Sequence, residues 1–359
     1  MERFGRRPIR GALLGVALGL AVAGPGRLAP AAEPASAVVV MYHRFGDGKD
    51  PSTNIRLDQF EAHLAELATG RYHVRPIPEI VAALAAGQSL PDRTVGISID
   101  DAFLSAHREA WPRLRRAGLP FTLFVATDAI DGGGRGYMSW DQLRALARAG
   151  VTIGSQTASH PHMPDHDRAR IRAELDRASA RFETELGSRP TLFAYPYGEA
   201  SLAVMEEVRE RGFVAAFGQH SGVLHGGANM FYLPRFTFNE TYGDARRFRL
   251  AAGALPMYAT EVTPRDPTLG PNPPAFGFTL GAAAGRVGAI ACFSSAHGRL
   301  PVERLGARRI EVRPPTAFAA GRARINCTAP AGDGRWRWLG TQFYIPERQA
   351  PGTGPGAER

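Results

Sequence analysis

Lysine is almost missing from the 359 residues: Lys49 is the only one, so the formal charge of +9 rests on arginine. No long basic run occurs, and no basic stripe is interleaved with aromatic residues. Arginines alternate with Asp and Glu along helical patterns, which describes a solvated surface and argues against a nucleic-acid groove. Cysteine is nearly as scarce, with Cys292 and Cys327 alone and both late in the chain. Two cysteines cannot build a disulfide scaffold, but in an oxidising compartment they would pair with each other. Beyond the N-terminus no apolar run approaches the ~20 residues a bilayer span needs. The N-terminus itself carries Arg3, Arg6, Arg7 and Arg10, then the apolar stretch 11–24, then small residues around Ala29–Ala37. That order is a secretory signal peptide (1–32), and it predicts a secreted or periplasmic protein with no integral membrane segment after cleavage.

What remains is an ordinary globular composition, 44% hydrophobic and 21% charged, in a chain long enough for one large domain and a smaller one. From residue 37 to 253 strands and helices alternate. Apolar, β-rich stretches fall at 37–41, 95–99, 120–125, 151–154, 191–194 and 213–217. Helical spacing recurs at Leu57, Phe60, Leu64 and Leu67. Ser139 to Gln142 forms a capping box, and 167–186 is amphipathic and closed by Gly187. Repeated alternation predicts an α/β fold, a parallel sheet with right-handed crossovers, open or closed as a barrel.

The residues after each strand differ from those before it. Tyr42-His43-Arg44, Asp100-Asp101, Thr127-Asp128, the stretch Gln156 to His162, Tyr195 to Glu199, and Gly218-Gln219-His220 follow the six strands in turn. All six share one face of a parallel sheet, the face on which active sites are built. The opposite connections, such as Arg116 to Gly118 and Arg148 to Gly150, repeat one another and carry no comparable chemistry. That asymmetry points to an enzyme.

After residue 253 the helical period stops. A Pro-rich stretch (254–274) reads as a linker with polyproline bias, and short strand candidates at 275–280, 287–294, 309–312, 322–327 and 336–345 read as a small all-β sandwich domain (275–346). The Pro/Gly-rich end (347–359) reads as a disordered tail.

Asp100 and Asp101 end a buried-type strand. Such a pair can divide labour, one carboxylate binding a metal while the other takes a proton from nearby water. The plain alternative is a helix N-cap, which stabilises by about 1 kcal/mol. In Tyr195-Pro196-Tyr197 the proline fixes the backbone, so the loop can present an N–H in one direction, as an oxyanion donor requires. Its aromatic rings offer faces for a sugar or an acetyl methyl; the simpler reading is a rigid turn.

Taken together, the strand-end Asp-Asp, the stretch Gly154 to His162 and the run Phe193 to Gly198 resemble, in order and spacing, the polysaccharide deacetylase (NodB-homology) family over about residues 38–245. The resemblance implies a distorted (β/α) barrel (37–253) and a metal-dependent hydrolase that removes N-acetyl groups from amino-sugar polymers. It also implies Asp100 as general base, Asp101 as metal ligand, His160 as second ligand, and an acetyl pocket lined by the Tyr195–Tyr197 loop, where a backbone N–H at Tyr197 supports the oxyanion. The implied cofactor is a divalent metal, zinc by preference, and the implied partner an N-acetylated glycan. Three positions depart from the pattern. Gln156 stands where the first metal-binding histidine is expected, and a neutral amide is a poor zinc ligand. Ile99 and Ala102 replace the usual Phe and Gly around the acids. Ala194 stands where many members place an arginine that orients the base.

His43 and His220 are auxiliary candidates by their place on the catalytic face, His220 as a proton donor to the leaving amine. His162 is a candidate ligand or a cap of the next helix. His63, His73, His107, His166, His225 and His297 read as surface residues. The departures at Gln156 and Ala194 also raise a rival reading, a non-catalytic exported carbohydrate-binding protein with a degraded metal site. A second rival is an envelope protein whose working part is the β domain.

Overall fold

The computed structural model describes residues 35–347 except Arg286, together with residues 1, 2 and 5. The expected signal peptide, those three residues apart, and the expected tail beyond Glu347 lie outside the described residues.

Six strands at the expected places form the main sheet: β1 (Ser36–Tyr42), β2 (Thr94–Ile99), β3 (Thr122–Val125), β4 (Thr152–Ser155), β5 (Leu192–Ala194) and β6 (Ala215–Phe217). Each pairs in parallel with the next. A seventh segment closes the curl. Leu233 bridges in parallel to Phe217, and β7 (Phe236–Thr237) pairs in parallel with β1. Residues 233–237 therefore span the gap between the last strand and the first, giving the distorted (β/α) barrel.

Period-two alternation decides what each strand residue faces. Val38, Val40 and Tyr42 of β1, with Val95, Ile97 and Ile99 of β2, belong to a core shared with the helix α1 (Leu57–Leu67). Val39, Phe124, Ala194, Phe217 and Leu233 belong to a second core, which the helix α2 (Ile77–Ala85) joins through Ile77, Ile80 and Leu84. On β2 this leaves Gly96, Ser98 and Asp100 on the second, inner side. At Gly96 a β-carbon would come within 2.8 Å of the Ile77 side chain, so α2 packs where only glycine leaves room.

The C-terminal part is all β. One sheet runs in the order β8 (Leu255–Pro256), β16 (Trp336–Ile345), β15 (Gly321–Pro330), β11 (Ala291–Ser294), β12 (Gly298–Leu300). The other runs β9 (Ala259–Thr263), β10 (Phe276–Leu280), β14 (Arg309–Val312), β13 (Val302–Leu305). Phe276, Phe278, Ile310, Ile325 and Phe343 fill the core between them. Residues 254–274, linker-like by composition, carry β8 and β9. Cys292 and Cys327 face each other across β11 and β15 and are bonded. This sheet leans on the barrel: Arg335 binds Asp92 and the Gly253 carbonyl, Thr268 donates to the Ala200 carbonyl, and Trp338 meets Phe236 edge-on. No helix among the described residues is long and apolar enough to cross a membrane.

One expectation fails in the core. His63, read as a surface residue, is fully buried: it stacks on Phe248, and its ring nitrogens meet the Tyr42 hydroxyl and the Gly243 carbonyl. It lies on the inner face of α1, where a polar residue type concealed a buried position. Burial pulls its pKa down to about 4. The unfolded chain then takes up a proton near pH 6.5 before the folded one does, so His63 contributes stability above that pH and loses it as pH falls toward 4. The slope is at most about 1.4 kcal/mol per pH unit. In urea unfolding between pH 7 and 4.5, His63→Leu should flatten the acid loss of stability relative to wild type. Equal slopes in the two proteins would contradict it.

Candidate active site

Asp100 continues the inward series of β2 and enters the barrel, where it is fully buried. Its backbone N–H donates to the Tyr42 carbonyl of β1 at 2.9 Å, so sheet pairing runs to the last residue before the loop. Arg235, on the closing segment, is equally buried and grips both carboxylate oxygens, Nη1 to Oδ1 at 2.7 Å and Nη2 to Oδ2 at 2.8 Å. The same guanidinium donates to Ser98 Oγ and to the Gly218 carbonyl, and it stands over the ring of Phe124. A two-pronged Arg–carboxylate pair fixes orientation as well as charge. Removing one partner from a pair this deep costs about 3–5 kcal/mol, because the other charge stays buried. His43 Nε2 lies 3.9 Å from Asp100 Oδ2.

The turn after Asp100 rises to the rim. Asp101 and Ala102 both have left-handed backbones, with φ of 70° and 51°. Thr157, His160 and Tyr197 share that conformation, at 68°, 59° and 58°. Five non-glycine residues in this sparsely populated region, on three neighbouring strand-end loops, mark the kind of strain that the surrounding fold must enforce. The 157–160 loop is pinned from several sides. The His160 N–H donates to Thr157 Oγ1, the Ser159 N–H to buried Glu174, and the Thr127 and Asp128 N–H groups to the carbonyls of Thr157 and Ala158. The result brings His160 Nε2 to 3.6 Å from Asp101 Oδ1. Burial pushes the His160 pKa down, which keeps the imidazole neutral with a lone pair to give.

Gln156 is fully buried, yet neither its amide oxygen nor its nitrogen has a hydrogen-bond partner among the described residues, and His160 Nε2 has none either. Buried polar atoms are rarely left so. A carboxylate, a neutral imidazole and an unpaired amide oxygen fit a divalent cation, though with less charge and less nitrogen than zinc prefers. Accordingly, no group of three or more His, Cys, Asp or Glu among the described residues is placed to hold a metal.

Tyr197 stands between two histidines. His160 meets its ring edge-on at 4.6 Å, and His162 stacks parallel to it at 4.2 Å. The turn needs Gly198, whose φ is +71° and where a β-carbon would come within 2.5 Å of the Gln219 nitrogen. His162 is half-exposed, and its Nδ1 lies 2.6 Å from Glu199, a buried carboxylate whose pKa rises through desolvation. The loop is held from the C-terminal sheet: Gln342 donates to the Tyr197 carbonyl, and Arg322 approaches Glu199 at 3.6 Å.

Two candidates sit elsewhere. Tyr195, expected to line the pocket, is fully buried, its hydroxyl given to the Phe231 carbonyl. Tyr195 shares its core with Phe193, two residues back on the same face, and the left-handed turn at Tyr197 takes the second ring elsewhere. His220 packs against Tyr232 with burial holding its pKa near 3, and none of its contacts reaches Asp100, Asp101 or His160. Sequence reasoning missed Arg235 and Glu199. The one signal for Arg235 was indirect: with Ala194 in the usual arginine position, a compensating arginine was to be sought on another strand end.

Comparison with known proteins agrees with this geometry. Residues 87–216 match the polysaccharide deacetylase family. The YxkH protein of Bacillus subtilis (strain 168) is 22% identical over 203 residues, 56% of this chain and 71% of that protein. The poly-beta-1,6-N-acetyl-D-glucosamine N-deacetylase of Escherichia coli (strain K12) is 23% identical over 231 residues, and the match covers 52% of this chain but only 34% of that protein. Among solved structures, IcaB from Ammonifex degensii superposes with a TM-score of 0.54 at 25% identity, covering 62% of this chain and 99% of that one.

If Gln156 occupies a ligand position, Gln156→His should tighten zinc binding about tenfold or more, since an imidazole replaces a neutral amide. Calorimetric titration of the metal-free proteins measures this. Unchanged affinity in Gln156→His, with a large loss in His43→Ala, would show that another side chain holds that position.

Proposed function

Since the chain carries a polysaccharide deacetylase domain, we propose that it hydrolyses N-acetyl groups on an amino-sugar polymer or oligomer, of the chitooligosaccharide, poly-N-acetylglucosamine or peptidoglycan type. The single observation that carries this reading is the buried Asp100–Arg235 pair beside Asp101 and His160. A base held in one orientation next to a candidate cation site is the equipment of amide hydrolysis, and a purely structural barrel has no need of it.

Asp101, His160 and Gln156 would hold a divalent cation, zinc in this reading, whose charge when bound would polarise the acetamide carbonyl and would make nearby water more acidic. Asp100, kept from rotating by Arg235, accepts a proton from the attacking water. The backbone N–H at Tyr197 steadies the charge that develops on the carbonyl oxygen, and Gln342 holds that loop from behind. His162, with Nδ1 on Glu199, gives a proton from Nε2 to the departing amine. The C–N bond breaks to release acetate and the free amino sugar. His43, close to Asp100 and on the wall of the cleft, contributes to substrate placement. We also read the protein as secreted or periplasmic. The N-terminal pattern and the Cys292–Cys327 bond support this.

Acetate release from N-acetylglucosamine oligomers and peptidoglycan fragments, with and without added zinc, tests the proposal. Asp100→Asn should lower the rate by about a thousandfold, within the range that general bases contribute, with metal affinity retained. Near-full activity of Asp100→Asn would overturn the role of Asp100. Glycan binding without acetate release by the wild-type protein would favour the non-catalytic reading, which the neutral amide at position 156 also favours.

A further inference from the structure

A cleft of about 1350 Å³ opens beside the site just described. One wall is the barrel rim, with His43, Asn239, Tyr242 and Arg247. The other is the C-terminal sheet, with Arg322, Arg324 and Trp338. Three acids also line it, Asp165, Glu199 and Glu347, so net charge is not its distinguishing property. Partnership is. Glu199 is engaged by His162 and Arg322, and Asp165 accepts from the Tyr344 hydroxyl.

Arg247 and Arg324 are different. The backbone N–H of Arg247 donates to the Asp244 carboxylate that caps its helix, but among the described residues neither guanidinium has a carboxylate within 4 Å, and the buried Nε of Arg247 has no hydrogen-bond partner. Both are half-buried, both are influenced by Tyr242, and Arg247 stands over the Tyr242 ring at 4.8 Å. Desolvation pushes both guanidinium pKa values down; Arg322 adds to the effect at Arg324, and Tyr242 and Glu199 offset only part of it. A cation so placed is costly unless an anion joins it. Around the two arginines the cleft offers what a sugar chain needs, an aromatic face at Trp338 and an amide at Asn239.

We propose that Arg247 and Arg324 form an anion subsite that selects an N-acetylated glycan bearing carboxylates on its sugars. The cleft joins the subsite to the deacetylation site, so an acidic sugar seated there would position a neighbouring acetamide near Asp100. The proposal rests on the deacetylase reading for its substrate class, while the charge preference stands on the cleft alone.

Binding measured by calorimetry in the Asp100→Asn background keeps the two separable, because no turnover is needed. The probes are an oligosaccharide of alternating N-acetylglucosamine and N-acetylmuramic acid, the same oligosaccharide with its carboxyls reduced to alcohols, and an N-acetylglucosamine oligomer of equal length. The acidic probe should bind about tenfold more tightly than either neutral one at low salt, and the preference should shrink as salt rises. Arg247→Gln with Arg324→Gln should bring the acidic-to-neutral ratio close to one. Arg247→Gln alone, at a half-buried position of the helix Ala245–Ala252, should at least halve that ratio if the strand variant does not fold. Equal affinity for acidic and reduced probes in the parent protein, a ratio untouched by the substitutions, or no binding of any probe would overturn the subsite. Absence of acetate release by the wild-type protein would count against the deacetylase reading instead, whatever the ratio.

Discussion

Everything at the catalytic face depends on one buried ion pair. Asp100 reaches the barrel interior because strand alternation carries it there, and its side chain is fully buried. Arg235 supplies the compensation from the segment that closes the barrel, so closure of the fold and orientation of the Asp100 carboxylate go together. Arg235 thus brings to Asp100 a guanidinium of the kind that the resemblance led one to expect at position 194, where this chain has Ala194. Strain then does the rest. Left-handed turns at Asp101, His160 and Tyr197 lift three side chains to one rim, and each turn is tied down by hydrogen bonds from neighbouring loops.

The C-terminal sheet takes part in this architecture. β16 braces the Tyr197 turn through Gln342, and its Tyr344 binds Asp165, while β15 sends Arg322 to Glu199. A barrel alone would keep Asp100 and Arg235 but would leave the Tyr197 loop and one wall of the cleft without support. This bears on the reading in which the β part works independently: besides its contacts with Asp92, Gly253 and Phe236, it holds the Tyr197 and Glu199 loop of the candidate site.

The six strands and the polar residues that follow them were legible because both signals are local. A β-rich apolar run sets each strand, and the polar residues after it must lie on one face. Asp101 and His160 come together as the motif spacing implied. Arg235 was not legible, because it meets Asp100 from 135 positions away and its own surroundings, Leu233-Pro234-Arg235, carry no pattern. Tyr195 and Tyr197 looked equivalent in sequence; only the strand-to-turn transition shows that one enters the core and the other the rim. Glu199 was hidden for a similar reason, since a lone glutamate after a turn normally faces water. Hydrophobic pattern revealed the C-terminal strands but not what they pack against, which is a matter of tertiary contact.

The central claim is that Arg235 serves catalysis by fixing Asp100, and Arg235→Gln tests it most directly when kinetics and metal affinity are measured on the same sample. Loss of the two hydrogen bonds that hold the Asp100 carboxylate in one orientation predicts a fall in kcat/KM of about a hundredfold, within the range a positioned base contributes. The zinc dissociation constant should change less than about threefold, because Arg235 touches no candidate ligand and a factor of three is under 1 kcal/mol. A folded Arg235→Gln protein that releases acetate at close to the wild-type rate would contradict the account.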